Sequence, residues 1–342
     1  MSSTTEPLRH SVPPEVFEAA KARAEARRAR DWETADRLRG VIEAAGWTII
    51  DQGSHFTLRP THPPDVEVEG TVRYGASGSV PSRLDEAPVG VASVVLVATD
   101  WPGDIERAVV ALAEHAPDGT QVIVVDDAVP ADSATDLAAL GRRDPGAPGI
   151  QTEVVALSAR LGAAAALNAG IRRASGRVVI VLDGSVEPTG DVVTPLVDAL
   201  DDPTVAVAGP FGIVSADLRQ FEDPAEGTVD VDVIEGYAMA FRRSDFADRG
   251  PLDEHFVFYR NLDIWWSLVL RDGDWDDEGA EVAPIRRAVR VPGLPLVRHE
   301  HRGWTSLPEA ERDRLSKKNF YRLLKAFASR QDLLVANRGR FG

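Results

Sequence analysis

Five consecutive apolar residues, Val178-Val179-Ile180-Val181-Leu182, break the alternation expected of a half-wet strand. Such a run reads as a strand buried on both faces, as in the middle of a parallel sheet. The run closes on Asp183. Open α/β sheets bind ligands beyond the carboxyl ends of their strands. An acid at that edge is placed to hold a divalent cation and, through it, a phosphate.

The surrounding texture is a regular βα alternation. Strands are expected at Val91–Val97, Gln121–Asp126, Thr152–Leu157, Arg177–Leu182 and Val205–Ala208. Helices are expected at Gly103–His115, Asp132–Leu140 and Leu161–Ala174, the last capped by Gly176. A further helix, N-capped by Thr189, runs to Leu200 with Val192, Val193, Leu196 and Val197 on one face. This pattern defines a doubly wound, mostly parallel sheet with helices on both faces. Beyond it the sequence predicts a strand over Val231–Phe241 and helices over Ser244–Arg249, Leu262–Arg271 and Ala310–Arg330.

The N-terminal part has a different grain. Val16, Ala19, Ala20 and Ala24 mark one face of a first helix. Asp31-Trp32 is a break, and Leu38, Ile42 and Ala45 line a second helix that Gly46 ends as a C-cap. A β-hairpin follows around Gln52-Gly53. The expected division is a small helical module over 1–60, a linker over 61–90 with an edge strand near Val66–Val72, and the α/β body over 91–342.

The chain has no cysteine, which excludes disulfides, zinc thiolates and cysteine nucleophiles. No apolar run approaches the roughly 18–20 residues that cross a bilayer. No signal-peptide pattern is evident, so the expected compartment is the cytoplasm. Net charge is −16, while residues 1–60 carry nine basic and nine acidic side chains, so the excess lies in the remainder. An acidic body repels nucleic acid but can still take a phosphate ligand through a metal.

Several residues could carry chemistry. Asp126 and Asp127 end the second strand and either cap a turn or hydrogen-bond a nucleotide base or ribose. Asn168 and Gly170 lie late in an alanine-rich helix. Gly170 suits close helix–strand packing, and Asn168 could point into the cleft. Near Asp183, Ser185 offers a hydroxyl and Glu187 a second carboxylate. In an extended segment His299 and His301 face the same side, and one could complete a metal shell with Asp183. Asn261 and Asp263 precede Trp265-Trp266. A cleft-facing carboxylate there would suit a general base. At helical spacing positions 261 and 263 point about 200° apart, so neither trivially replaces the other.

The order of motifs over residues 91–330 resembles family 2 glycosyltransferases with the GT-A fold. The matching pieces are Ser93-Val-Val-Leu, Val124-Val-Asp126-Asp127, Leu167-Asn-Ala-Gly170 and Val181-Leu-Asp183-Gly-Ser. They continue with Gly236-Tyr-Ala-Met-Ala-Phe-Arg-Arg, Leu252-Asp-Glu-His-Phe256 leading to Asp263, and Val297-Arg-His299. The resemblance implies a nucleotide-diphosphate sugar donor and an inverting transfer to a saccharide or lipid-linked acceptor. It places Asp126 or Asp127 on the donor base. Asp183 would hold Mg²⁺ or Mn²⁺ against the diphosphate, with His299, or failing that His301, as the late metal ligand.

Two departures stand out. Ser185 occupies the place of the second acid of the metal motif. Arg260-Asn261 occupies the place of the family's Glu-Asp, whose Asp is the base. Asn accepts no proton usefully, so the base falls to Glu254 or Asp263, or catalysis is lost and the protein binds or scaffolds. A nucleotidyltransferase-like reading needs a glycine-rich loop after the first strand, and Thr99-Asp100-Trp101-Pro102-Gly103-Asp104 is a poor one. In the N-terminal module, Arg30 to Arg39, Ala44-Ala-Gly46-Trp-Thr48 and Asp51-Gln-Gly53 resemble the C-terminal helical module of cysteinyl-tRNA synthetases. Its neutral charge argues against RNA and for docking or homo-oligomerisation.

Overall fold

The computed structural model describes residues 12–52, 55–68, 70–98, 100–130, 137, 140, 150–275 and 281–337. The chain forms two compact units, Met1–Ser79 and Val80–Gly342. In the first, helices Pro14–Arg28 and Trp32–Ala44 form the expected hairpin. Asp31 caps the second helix by accepting from the Thr34 N–H at 3.1 Å. Gly46 adopts φ +77°, a conformation that ends a helix and costs glycine little. Strands Trp47–Gln52 and His55–Pro60 pair antiparallel. Val16, Ala20, Ile42, Trp47 and Ile49 make this unit's core, while Ala45, expected inward, is exposed. Within the segment expected as a linker, Val66–Val68 pairs with Thr71–Tyr74.

The second unit contains the α/β sheet. Strands Gly90–Ala98, Thr120–Asp126, Gln151–Leu157 and Gly176–Leu182 run parallel, in the order Gln151–Leu157, Thr120–Asp126, Gly90–Ala98, Gly176–Leu182. Ala238–Arg242 then pairs antiparallel with Gly176–Leu182 and with Val205–Gly209. Arg287–Arg290 adds in parallel beyond Val205–Gly209. The sheet is therefore mostly parallel, with an antiparallel strand beside Asp183.

Both faces are covered, which is why the strand sequences are apolar without alternation. Val94 and Leu96 pack with Ile105, Ala108, Val109 and Leu112 of helix Pro102–His115 on one face. Val95, Ile123 and Val125 lie under Gly170 of helix Ala163–Ile171 on the other. A Cβ at Gly170 would sit 2.6 Å from Val95 Cγ1, so this glycine does permit the close packing expected of it. On helix Leu262–Arg271, Trp266 meets Phe241 edge-on at 5.6 Å.

Some boundaries differ from expectation for identifiable reasons. The helix beginning at Ala163 ends at Ile171, and Gly176 opens the next strand where a C-cap was expected. Helix Val193–Ala199 is capped by Asp191, whose Oδ1 accepts from the N–H groups of Val193 and Thr194. Thr189 instead donates its N–H to Pro295 O. The single strand expected over Val231–Phe241 is three, Asp230–Val231, Val233–Ile234 and Ala238–Arg242. Buried Asp232 interrupts it by accepting from the N–H groups of Ser215 and Val335. The helix expected over Asp132–Leu140 lies outside the described residues, apart from Leu137 and Leu140.

Candidate active site

Asp183 leaves the sheet with its N–H donating to Tyr237 O on the antiparallel neighbour, at 2.9 Å. Its Oδ1 accepts from the Ser185 hydroxyl and amide, at 2.5 and 2.8 Å. Its Oδ2 lies 3.3 Å from His301 Nε2. Burial pushes the Asp183 carboxyl up, but His301 and Ser185 outweigh burial and hold it below the usual carboxylate range. Burial likewise disfavours the His301 imidazolium, and the Asp183 carboxylate overcomes that and raises its pKa.

A short ribbon brings the two together. Leu296–Arg298 pairs antiparallel with Val186–Pro188, and the His299 N–H donates to Ser185 O. Past Arg298 the chain turns, so the shared face expected for His299 and His301 is lost. His299 Nε2 sits 2.6 Å from Glu187 Oε2, away from Asp183. Glu187, also 3.6 Å from Arg107, is likewise diverted from the metal position. His301 is the histidine that reaches Asp183, and it also caps helix Arg302–Thr305, its Nδ1 accepting from the Trp304 N–H at 3.1 Å. Tyr259 stacks on its ring at 4.6 Å and Tyr237 meets it edge-on at 6.0 Å. Burial first, then Tyr237 and Asp183, raise the Tyr259 phenol, which stays neutral.

Asp183, His301, Tyr237 and Tyr259 line a cavity of about 420 Å³ at the carboxyl ends of the strands, together with Asp127 and Arg160. Asp127 accepts from the N–H groups of Leu161 and Gly162 at 2.6 and 3.1 Å. Its pKa is raised by burial, against those bonds and nearby Arg160. Asp126 takes the turn-capping role, accepting from the Val129 N–H at 2.9 Å, and is absent from the cavity wall.

Three other expected site residues are placed elsewhere. The Asn168 amide donates to Leu252 O and Glu254 Oε1 and accepts from the Leu252 N–H, at 2.9 to 3.0 Å. Its polar groups therefore clamp the 252–254 loop instead of facing the cleft, and Glu254 is held there too. Asn261 has φ +67° and donates to Ser316 O at 3.2 Å. Asp263 does line the cavity, but its two oxygens accept from the N–H groups of Gly236 and Ile264. Burial, against those bonds, raises its pKa.

The sequence reading missed Tyr237, Tyr259 and Glu235. Tyr237 stood within the quoted Gly236 motif, but nothing local showed that it would meet a histidine 64 positions later. Tyr259 is positioned from afar, since Asn319 on helix Glu309–Phe327 donates to the carbonyls of Phe258 and Arg260.

Asp183 and His301 are the donor pair that a divalent cation would find here. Among the described residues no cluster of three or more acidic or histidine side chains is poised for a metal. A carboxylate oxygen and an imidazole nitrogen facing one cavity suit Mn²⁺ or Mg²⁺ if a diphosphate supplies further oxygens. With Nδ1 accepting, the ring proton sits on Nε2, so cation binding there would displace it and weaken at low pH.

Residues 93–250 match the model of Glycosyl transferase family 2. The match lies within the α/β body described above. The chain is 28% identical over 272 residues to the pre-mycofactocin glycosyltransferase of Mycobacterium tuberculosis strain H37Rv, covering 74% of this chain and 49% of that protein. It thus spans about half the length of that relative. A 49-residue stretch is 45% identical to the cysteine–tRNA ligase of Opitutus terrae, 14% of this chain and 11% of that one. Among solved structures, GalNAc-T7 with UDP, GalNAc and Mn²⁺ shares the fold at TM-score 0.52 and 16% identity, over 70% of this chain and 48% of that one. No helix among the described residues is long and apolar enough to cross a membrane.

Proposed function

We propose that this protein transfers a sugar from a nucleoside-diphosphate sugar to an acceptor hydroxyl. The convergence of Asp183 and His301 at a strand-end cavity carries the reading. Asp127, with Arg160 nearby, faces the nucleoside end of that cavity in this reading. A divalent cation held by Asp183 and His301 would offset the diphosphate charge. Tyr237 and Tyr259 fix the His301 ring and exclude water around it. The acceptor is a saccharide or lipid-linked hydroxyl, and the transfer inverts the anomeric carbon. The N-terminal unit serves docking or self-association, which sedimentation of the full chain would reveal.

Titration calorimetry with UDP and GDP, with and without Mn²⁺, tests this. Binding that needs Mn²⁺ and fails in Asp183→Asn is the expected result. Absence of binding for every nucleoside diphosphate would sink the proposal. A second reading, a nucleotide-sugar-binding partner without turnover, draws on Asn261 at the family's base position. Transfer or donor hydrolysis abolished by Asp183→Asn would eliminate it.

A further inference from the structure

A second cavity of about 450 Å³ adjoins the first. Glu235, Arg260 and Asp263 line both and so form a common wall. The rest of the second cavity mixes charged and amide groups, such as Arg219, Asp223 and Asn261, with the rings of Phe221 and Phe320. Hydrogen-bonding side chains beside aromatic faces suit a ligand with many hydroxyls and apolar C–H faces.

Two carboxylates stand in the common wall. Asp263 is committed to the N–H groups of Gly236 and Ile264. The Glu235 carboxylate makes no hydrogen bond or ion pair among the described residues, although its backbone is fixed by its N–H donating to Phe211 O at 2.9 Å. Two residues on, Tyr237 O accepts the Asp183 N–H, which ties this turn to the end of the key strand.

On the glycosyltransferase reading above, we propose that the second cavity holds a polyhydroxylated acceptor and that Glu235 is its general base, replacing the acid absent at Asn261. The acceptor O–H proton passes to the Glu235 carboxylate as that oxygen bonds to the anomeric carbon. The bond from that carbon to the diphosphate oxygen breaks, and its electron pair leaves with the nucleoside diphosphate. Glu235 then returns the proton to solvent. The groups facing Glu235 suit this work. Burial raises its pKa, Asp263 and Asp223 add to the rise, and Arg298 and Arg260 oppose it. A base shifted up toward neutral pH removes protons more effectively.

The test uses the full chain with Mn²⁺ and either UDP-GalNAc or GDP-mannose, following release of nucleoside diphosphate with water or methyl α-mannoside as acceptor. Glu235→Gln should keep nucleotide affinity within about twofold and cut turnover by roughly 10²- to 10⁴-fold. The rise of wild-type turnover with pH, through the Glu235 titration, should vanish in that variant. Glu235→Asp, which keeps a carboxylate, should retain the rise at a lower rate, and so separates lost chemistry from misfolding. Wild-type turnover by Glu235→Gln, or donor binding by the wild type with no turnover, overturns this assignment and leaves donor binding standing. A wild type that binds no nucleotide removes the underlying reading and this one with it.

Discussion

Asn168→Ala is predicted to unfasten the loop that brings Tyr259 to the site. The wild-type amide makes three bonds, to Leu252 O, Glu254 Oε1 and the Leu252 N–H. Asn168 and Leu252 are 1% and 3% exposed, so water cannot replace the lost partners without local opening. Each orphaned buried backbone group costs about 1–3 kcal/mol, and alanine's better helix propensity returns a few tenths. The expected net loss is about 2–4 kcal/mol. If carried by local opening, this accelerates exchange of the Leu252 amide roughly 30- to 1,000-fold, at about 1.4 kcal/mol per tenfold. Hydrogen exchange read by mass spectrometry over peptides spanning 250–262 measures it, with nucleotide calorimetry reporting the weaker site. An exchange change below about threefold, with an unaltered melting temperature, would refute the reasoning that Asn168 is a clamp.

Three further outcomes follow from the packing and the charges. Gly170→Ala would force a methyl to 2.6 and 2.7 Å from Val95 and Val125, and should cost about 1–2 kcal/mol in chemical denaturation once the helix-propensity gain is subtracted. Arg271, fully buried, donates to the carbonyls of Asp232, Arg286 and Leu333. Arg271→Ala should lose roughly 3–5 kcal/mol and open the segment near Leu333 to limited proteolysis. Asp51 has its pKa lowered by its hydrogen bond to Arg23, assisted by Arg27. Its contribution is therefore full above the unfolded value of about 3.9 and is lost as pH falls through the lower folded value. Asp51→Asn should lower the protection of Ile49 and Ile50 at pH 7 and make no difference once the wild-type carboxyl is protonated. An equal difference at both pH values would contradict the ion-pair account.

What was legible in the sequence was what short-range pattern encodes. Val178 to Leu182 could be read as a doubly buried strand because no alternation relieves it, with Asp183 at its end, where it lines the cavity. Gly170 could be read as a packing glycine because it interrupts a helix otherwise rich in alanine. The helix Leu262–Arg271 was predicted with its observed bounds. The cap at Asp191 was misplaced to Thr189 because both residues suit an N-cap, and the pairing of Thr189 with Pro295 decided between them. The strand over Val231–Phe241 looked continuous because its apolar content conceals Asp232, whose partners Ser215 and Val335 are distant in sequence.

The sequence by itself therefore determined the layered α/β body and the strand that ends on Asp183. Periodicity and residue type suffice for those because each depends on neighbours a few positions away. Which histidine meets Asp183 was decided by the tertiary structure, through a ribbon that turns after Arg298, sends His299 to Glu187 and leaves His301 in the cavity. The diversion of Asn168 and Glu254 to a loop clamp, and the placing of Glu235 between two cavities, were decided the same way. Those outcomes depend on which of several equally suitable partners the fold brings within hydrogen-bond reach, a choice made by contacts far apart in the chain.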